Sequence, residues 1–346
     1  MTGRSGFSAV TGVVLLTLLL TSIVLSATMG YMKVPAGDVL QVILHRLTGA
    51  GSELDPVTVA VVTDVRLPRI LAAVLVGGVL AVCGTVFQAI LLNPLADPYT
   101  LGISSGAAFG ASLVIVLQVF GLTLPPGLSI PVFAFAGSLG TLFAVLSLAS
   151  GDRRLSSTSL ILSGVIVAAI LSAAIGFLKF LADEQVGIII FWLMGSLSGV
   201  SWQNIVVLTP VAFAGLLACM LYGRELNIMA TGERAAATLG VNTVQLRWIL
   251  LVVCSLMTAV CVSVSGIIGF VGLIVPHLLR HLIGPDNRWL IVLSFLGGGL
   301  LLLFADTLTR AVLPAEVPIG VLTALIGGPF FCVIFKKRQA DGTAGL

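Results

Sequence analysis

The sequence predicts an all-α polytopic membrane protein, and three observations carry that reading. Charged residues make up 9% of the 346-residue chain, against about 25% in soluble domains. Apolar residues account for 58%, with a mean hydropathy of +1.18. Hydrophobic runs of ~20 residues, long enough to cross ~30 Å of hydrocarbon, recur along the whole chain. The net charge of +3 is too small to point to nucleic acid. The chain reads as one transmembrane domain, 1–346, with a membrane core at about 10–338 and a tail at 339–346.

The spans follow in order, ten in all. The first, 10–29, comes after Arg4 in the manner of a signal peptide, but it exceeds a usual signal core and is assigned as a transmembrane helix. Residues 30–69 form a substantial loop that ends in Asp64-Val65-Arg66-Leu67-Pro68-Arg69. The second span, 70–92, contains Gly77-Gly78. The third, 101–120, carries Gly102, Gly106 and Gly110, a small-residue face that lets helices approach closely. Spans at 132–149 and 160–178 follow, then Gly187–Leu197, which is too short to cross and reads as a partly inserted helix. The remaining spans are 205–222, 248–265, 267–282, 290–305 and 318–335. Gly297-Gly298-Gly299 and Gly327-Gly328-Pro329, like Gly77-Gly78, are expected to break helices or to pack them tightly. Ala81-Val82-Cys83 and Ala259-Val260-Cys261 hint at an inverted repeat of spans 2–5 and 7–10.

Charge sets the orientation. With the N-terminus inside, Lys and Arg divide 11 inside to 6 outside, as the positive-inside rule requires. Both termini then face the cytoplasm, and so does the stretch 223–247. From Pro98 to Gly151 there is no charged side chain, and every Asp, Glu, Lys and Arg falls at or near a span end. Intramembrane charges mark ion-coupled transport, so this pattern weighs against a stand-alone secondary transporter or channel.

The stretch between Tyr222 and Trp248 is the most unusual one. Glycines at 223, 232 and 240 punctuate two short helical pieces, where a simple connection would need a handful of residues. In the second piece Glu233 sits in the first turn, Ala235, Ala236 and Leu239 leave a low, partly apolar surface, and Gly240 stops the helix. Such a surface suits docking into a groove of another protein; the alternative is an amphipathic loop on the bilayer. Arg66 and Arg69 can present guanidinium groups to a partner's carboxylates, or serve as interfacial anchors.

Several chemistries lack their residues. None of the four lysines, Lys33, Lys179, Lys336 and Lys337, closes a phosphate-cradling glycine loop. His277 and His281 form an i, i+4 pair, but the residues between them supply no third zinc ligand. There is no nucleophile elbow and no paired-carboxylate site, so an enzyme is poorly supported. The five cysteines lie in apolar runs without C-x-x-C spacing.

The motifs together resemble the iron-chelate and cobalamin uptake permeases of bacterial ABC importers, from about residue 10 to 338. They are Arg66-Leu67-Pro68-Arg69 through Asn93-Pro94-Leu95-Ala96-Asp97-Pro98, Phe191-Trp192-Leu193-Met194-Gly195, Gly232-Glu233…Leu239-Gly240, Gly269-Phe270-Val271-Gly272…Pro276-His277 and Pro318-Ile319-Gly320. The resemblance implies ten helices per subunit and an identical or closely related second permease subunit. It also implies two cytoplasmic ATPases and an extracytoplasmic substrate-binding protein. ATP and magnesium would be bound by the partner ATPase, and the chain would need no cofactor of its own. Gly232, Glu233, Arg234, Ala235, Ala236, Leu239 and Gly240 would then form the coupling insert that docks the ATPase. Arg66, Arg69 and Arg310 would meet the binding protein, and Ser157, Thr158, Asn93 and Leu95 would form the cytoplasmic gate. The Phe191–Gly195 and Gly327–Phe331 stretches look more like siderophore or haem permeases than cobalamin ones.

Overall fold

The computed structural model describes residues 2–30, 32–48, 55–122, 129–151, 155–311 and 316–343. Arg153 and Arg154, counted above as inside charges, lie outside the described residues, as do 344–346 of the tail. Among the described residues all regular structure is helical: α1 (Thr2–Thr28), α2 (Ala36–Thr48), α3 (Pro56–Ala60), α4 (Leu67–Ile90), α5 (Ile103–Val119), α6 (Ile130–Ala149), α7 (Ser157–Ala182), α8 (Val186–Leu193), α9 (Trp202–Leu221), α10 (Gly223–Met229), α11 (Glu233–Thr238), α12 (Thr243–Ser265), α13 (Val271–Ile283), α14 (Asn287–Ala311) and α15 (Ile319–Thr343).

Among the described residues, seven helical stretches are long and apolar enough to cross a membrane, and three apolar helices are shorter. Length alone therefore does not reach the expected ten. The short ones, Ile103–Val119, Val271–Ile283 and Ile319–Val333, lie where spans 101–120, 267–282 and 318–335 were expected. Two of them are short for a visible reason. After α4 the backbone folds back into the bundle, where Asp97 caps the turn at Tyr99 and Thr100 and the Tyr99 hydroxyl donates to the Ile268 carbonyl at 2.6 Å. Residues 266–270 leave helical geometry, with Gly266 at φ +66° and Phe270 at +68°, so α13 begins at Val271 and not at 267. The loop 30–69 is also largely helical. α2 and α3 occupy it, and a π-helical turn at Val61–Arg66 runs directly into α4.

α4 is the axis of the molecule. Nearly every one of its side chains is buried, and α14, α13, α12 and α9 pack around it. The glycines expected to break helices at 77–78 and 297–299 do not: α4 and α14 are continuous. They serve crossing instead. A Cβ on Gly77 would lie 2.3 Å from the Gly298 carbonyl oxygen, and one on Gly298 would lie 2.2 Å from that of Gly77. The Gly106 and Gly110 face of α5 meets Gly137 and Phe133 of α6 in the same way, at 2.3 and 2.0 Å. In lipid, association depends on such backbone approach because apolar side chains gain nothing by leaving hydrocarbon. The outward sides of α1, α7 and α9 stay apolar and exposed, with Val13, Phe177 and Val206 among them.

Candidate functional site

Two charged centres sit at opposite ends of α4. At its N-terminal end Arg66, Arg69 and Arg310 come together, as expected, but they do not stand free. All three are buried. Arg69 Nε donates to Asp306 Oδ1 at 2.8 Å and its Nη1 to Glu316 Oε1 at 3.1 Å. Arg310 Nε donates to Asp306 Oδ2 at 3.2 Å, and its other nitrogens reach the carbonyls of Met29 and Ser26, each at 2.7 Å. Arg66 donates to the Ala27 carbonyl at 2.6 Å and to that of Met32. Within the chain these guanidiniums are therefore engaged, and they bind α1, α4 and α14 to one another. Asp306, the carboxylate shared by Arg69 and Arg310, is fully buried near the C-terminal end of α14.

At the other end lies the insert. α10 and α11 form where the glycines placed them. Gly232 (φ +107°) precedes α11 and Gly240 (φ +86°) ends it, with Val241 N–H bonded to the Ala236 carbonyl and Gly240 N–H to that of Ala237. That pattern closes the helix and needs a residue tolerant of positive φ at 240. Both pieces are anchored inward. Asn227 of α10 donates to Asp286 Oδ1 at 2.7 Å and accepts from the Asn287 backbone at 2.7 Å. Glu233 of α11 pairs with Arg247. One expected docking residue is misplaced: Ala236 is fully buried beneath the helix, and Ala235 is half-buried. Arg234, Ala237, Thr238, Leu239 and Gly240 make the exposed face. Beside it, between α10, the Gly240 turn and the start of α12, lies a recess of ≈ 450 Å³ lined by Tyr222, Arg224, Glu225, Leu239, Asn242 and Gln245.

Asp286 carries a testable consequence. Hydrogen bonding to the Arg288 guanidinium, helped by Asn227, holds its carboxyl down to about 2. The unfolded value is near ~4, so its contribution is fully present above that and is lost as pH falls toward 2. Hydrogen exchange in α10 should therefore be slower in the parent than in Asp286→Asn from mildly acidic pH upward. The difference should shrink as pH falls below ~4 and vanish only once the folded carboxyl is protonated, below about 2; a difference that persists there would mean the anchor does not depend on the carboxylate.

The gate candidates gather at the same end. Ser157 opens α7 and accepts from Arg247 at 3.3 Å, while Thr158 beside it is exposed. Asn93 Oδ1 accepts from the Leu95 backbone N–H at 3.0 Å, and Leu95 is exposed in the turn after α4. Arg247 itself was counted only as an inside charge. The signal was present: 247, 250, 251, 254 and 258 form the buried stripe of α12, so a charge at 247 had to face the bundle. His277 and His281 place their Nε2 atoms 3.1 Å apart, and the described residues bring no third metal ligand to them.

Comparison with known proteins decides the family. The FecCD transport family model matches residues 18–337. The chain belongs to that family. It is 43% identical to the hemin transport system permease protein HmuU of Yersinia pestis, over 80% of this chain and 83% of that one. It is 42% identical to the cobalamin import system permease protein BtuC of Halobacterium salinarum, over 81% and 74%. A solved structure described as an inward-facing metal-chelate type ABC transporter superposes with a TM-score of 0.80 at 32% identity, covering 94% of this chain and 98% of that one. This FecCD member is thus a permease subunit of an ABC importer, and the charged insert is part of a transport machine.

Proposed function

We propose that this permease carries an iron chelate, a ferric siderophore or haem, across the cytoplasmic membrane with both termini inside. Two copies, or this chain and a close homologue, would form the pathway. Two separate ATPase subunits would drive it, and an extracytoplasmic binding protein would load it. The observation that carries the reading is the insert, α10 and α11. It is fastened to the bundle through Asp286 and Arg247, yet keeps Arg234, Ala237, Thr238 and Leu239 outward beside an open recess. A rigid mount with a bare, small-residue face suits transmission of force from a partner. At the far end the buried arginines would shape the platform for the binding protein by fixing α1, α4 and α14, not by acting as free charges. The hemin relative favours haem as cargo; the cobalamin relative favours a corrinoid as the second reading.

The test is reconstitution of the permease with its ATPase and binding protein in liposomes. Uptake of hemin or a ferric siderophore should require ATP inside, and cobalamin should not compete. Accumulation without ATP, or of cobalamin alone, would overturn the respective part. Leu239→Asp together with Ala237→Trp should abolish co-purification of the ATPase while leaving the thermal midpoint of the isolated permease unchanged. The buried Ala236 is unsuitable for this experiment, because bulk there would disturb α11 itself.

A further inference from the structure

Arg247 joins α11 of the insert to the turn after α4 and to the entry of α7. It is fully buried. Its Nε donates to the Ile90 carbonyl at 3.0 Å, the last residue of α4 and the start of the turn holding Asn93 and Leu95. Its Nη1 donates to the Leu155 carbonyl at 3.1 Å, and its Nη2 to Ser157 Oγ at 3.3 Å. The same Nη2 pairs with Glu233 at the first position of α11. Among the described residues Glu233 is the only carboxylate it meets. One planar group thus joins the insert, the α4 turn and the entry to α7.

The physical chemistry of guanidinium makes this junction stiff. A buried cation is tolerated only with its charge and donors answered, so no acceptor can leave without a penalty. Because the donors form a rigid planar fork, they cannot be satisfied one at a time by rotating separate bonds. A shift of Glu233 tilts the plane and pulls on Ile90, Leu155 and Ser157 together. Leu155 is already held at φ +46°, a conformation disfavoured for leucine, so the segment before α7 depends on its neighbours to stay where it is. Glu233 is half-exposed, at the foot of the helix whose far face is open.

We propose that Arg247 is a positioning residue that transmits movement of α11 to the gate at Ser157, Thr158, Asn93 and Leu95. The proposal rests on the reading of α11 as the ATPase-docking helix. Docking pressure enters through Glu233, and the guanidinium divides it between the two segments that flank the pathway's inner end. A lysine at 247 keeps the charge but cannot bridge three segments. A glutamine at 233 keeps the shape but removes the attraction.

The experiment uses the assembled importer in liposomes, with Thr158→Cys in a Cys332→Ser background, since Cys332 is the exposed native cysteine. The rate of thiol modification by a water-soluble maleimide is read without nucleotide and with trapped ATP, alongside substrate moved per ATP hydrolysed. In the parent the two states should differ severalfold. In Arg247→Lys and Glu233→Gln the difference should collapse and substrate per ATP should fall about tenfold, a usual size for lost coupling between sites. In Arg247→Lys, whose side chain is buried away from the docking face, the ATPase should still co-purify and hydrolyse ATP. Parent-like nucleotide dependence and parent-like stoichiometry in both variants would overturn the proposal. If Arg247→Lys fails to fold, Glu233→Gln decides, because the amide oxygen still offers the guanidinium an acceptor beside the Ile90 and Leu155 carbonyls and the Ser157 hydroxyl; substrate per ATP is then read only on complexes that retain the ATPase. A parent that does not retain the ATPase, or shows no nucleotide dependence at 158, would sink the docking or gate reading, and this proposal with it.

Discussion

Asp306→Ala is expected to cost about 3–5 kcal/mol, the range for removing one member of a buried charge group. Whole membrane or soluble domains hold only about 5–15 kcal/mol, so the variant should lose much of its folded population. The argument is electrostatic. Both carboxylate oxygens of Asp306 are engaged, one by Arg69 and one by Arg310, and the residue is fully buried. Alanine leaves Arg310 with two carbonyl oxygens and the Ser26 hydroxyl, and Arg69 with the half-exposed Glu316. Neither can reach water without separating α4 from α14. Asp306→Asn should fall between parent and alanine, since it keeps an acceptor for one arginine but turns a donor toward the other. Thermal unfolding in detergent, followed by loss of the monodisperse peak, reads the series. An alanine variant with the parent's midpoint would mean the arginines find water in the folded protein.

That cluster also marks where sequence reasoning stopped. Hydrophobic runs were legible because a span must be apolar along its length, and the insert was legible because Gly223, Gly232 and Gly240 interrupt it. The side on which a charge faces was not. In a helix apolar all round, no polar face opposes the core, so little distinguishes inward from outward at Arg66, Arg69 or Arg310. Only the spacing of small residues and neighbouring buried positions carries that information, as at 247 and at 299, 302, 303, 306 and 310. The same ambiguity misplaced Ala236. Three consecutive alanines, 235–237, are identical in type, and only the hydrogen bonds around Gly240 determine which of them turns inward. The glycines at 77–78 and 297–299 read equally as breaks or as contacts until the partner helix is known. Membership of the FecCD family shows the permease role, whereas the cargo rests on a handful of relatives' names.

Gly84→Ala is expected to have the second-largest effect, although it adds a single methyl group. A Cβ at 84 would lie 1.8 Å from the Gly272 carbonyl oxygen and 2.5 Å from its carbon. These are backbone atoms of α13, so no side chain can swing aside. The helices must part by more than 1 Å to restore an ordinary contact of ~3.5 Å. α13 is not free to part, because Gln88 Nε2 donates to the same Gly272 carbonyl at 3.2 Å and Arg280 donates to Gln88 Oε1 at 2.7 Å. Overpacking of a tight core typically costs ~1–3 kcal/mol, and a rigid backbone neighbour puts this site at the upper end. Gly140→Ala in α6 is the matched control, since no atom lies within 4 Å of its Cβ position. There the usual helix preference for alanine over glycine should stabilise by a few tenths of a kcal/mol to about 1. The two single-methyl variants should therefore move the thermal midpoint in opposite directions. Equal midpoints would mean that α4 and α13 are not in backbone contact, and that the short α13 is held by its side chains alone.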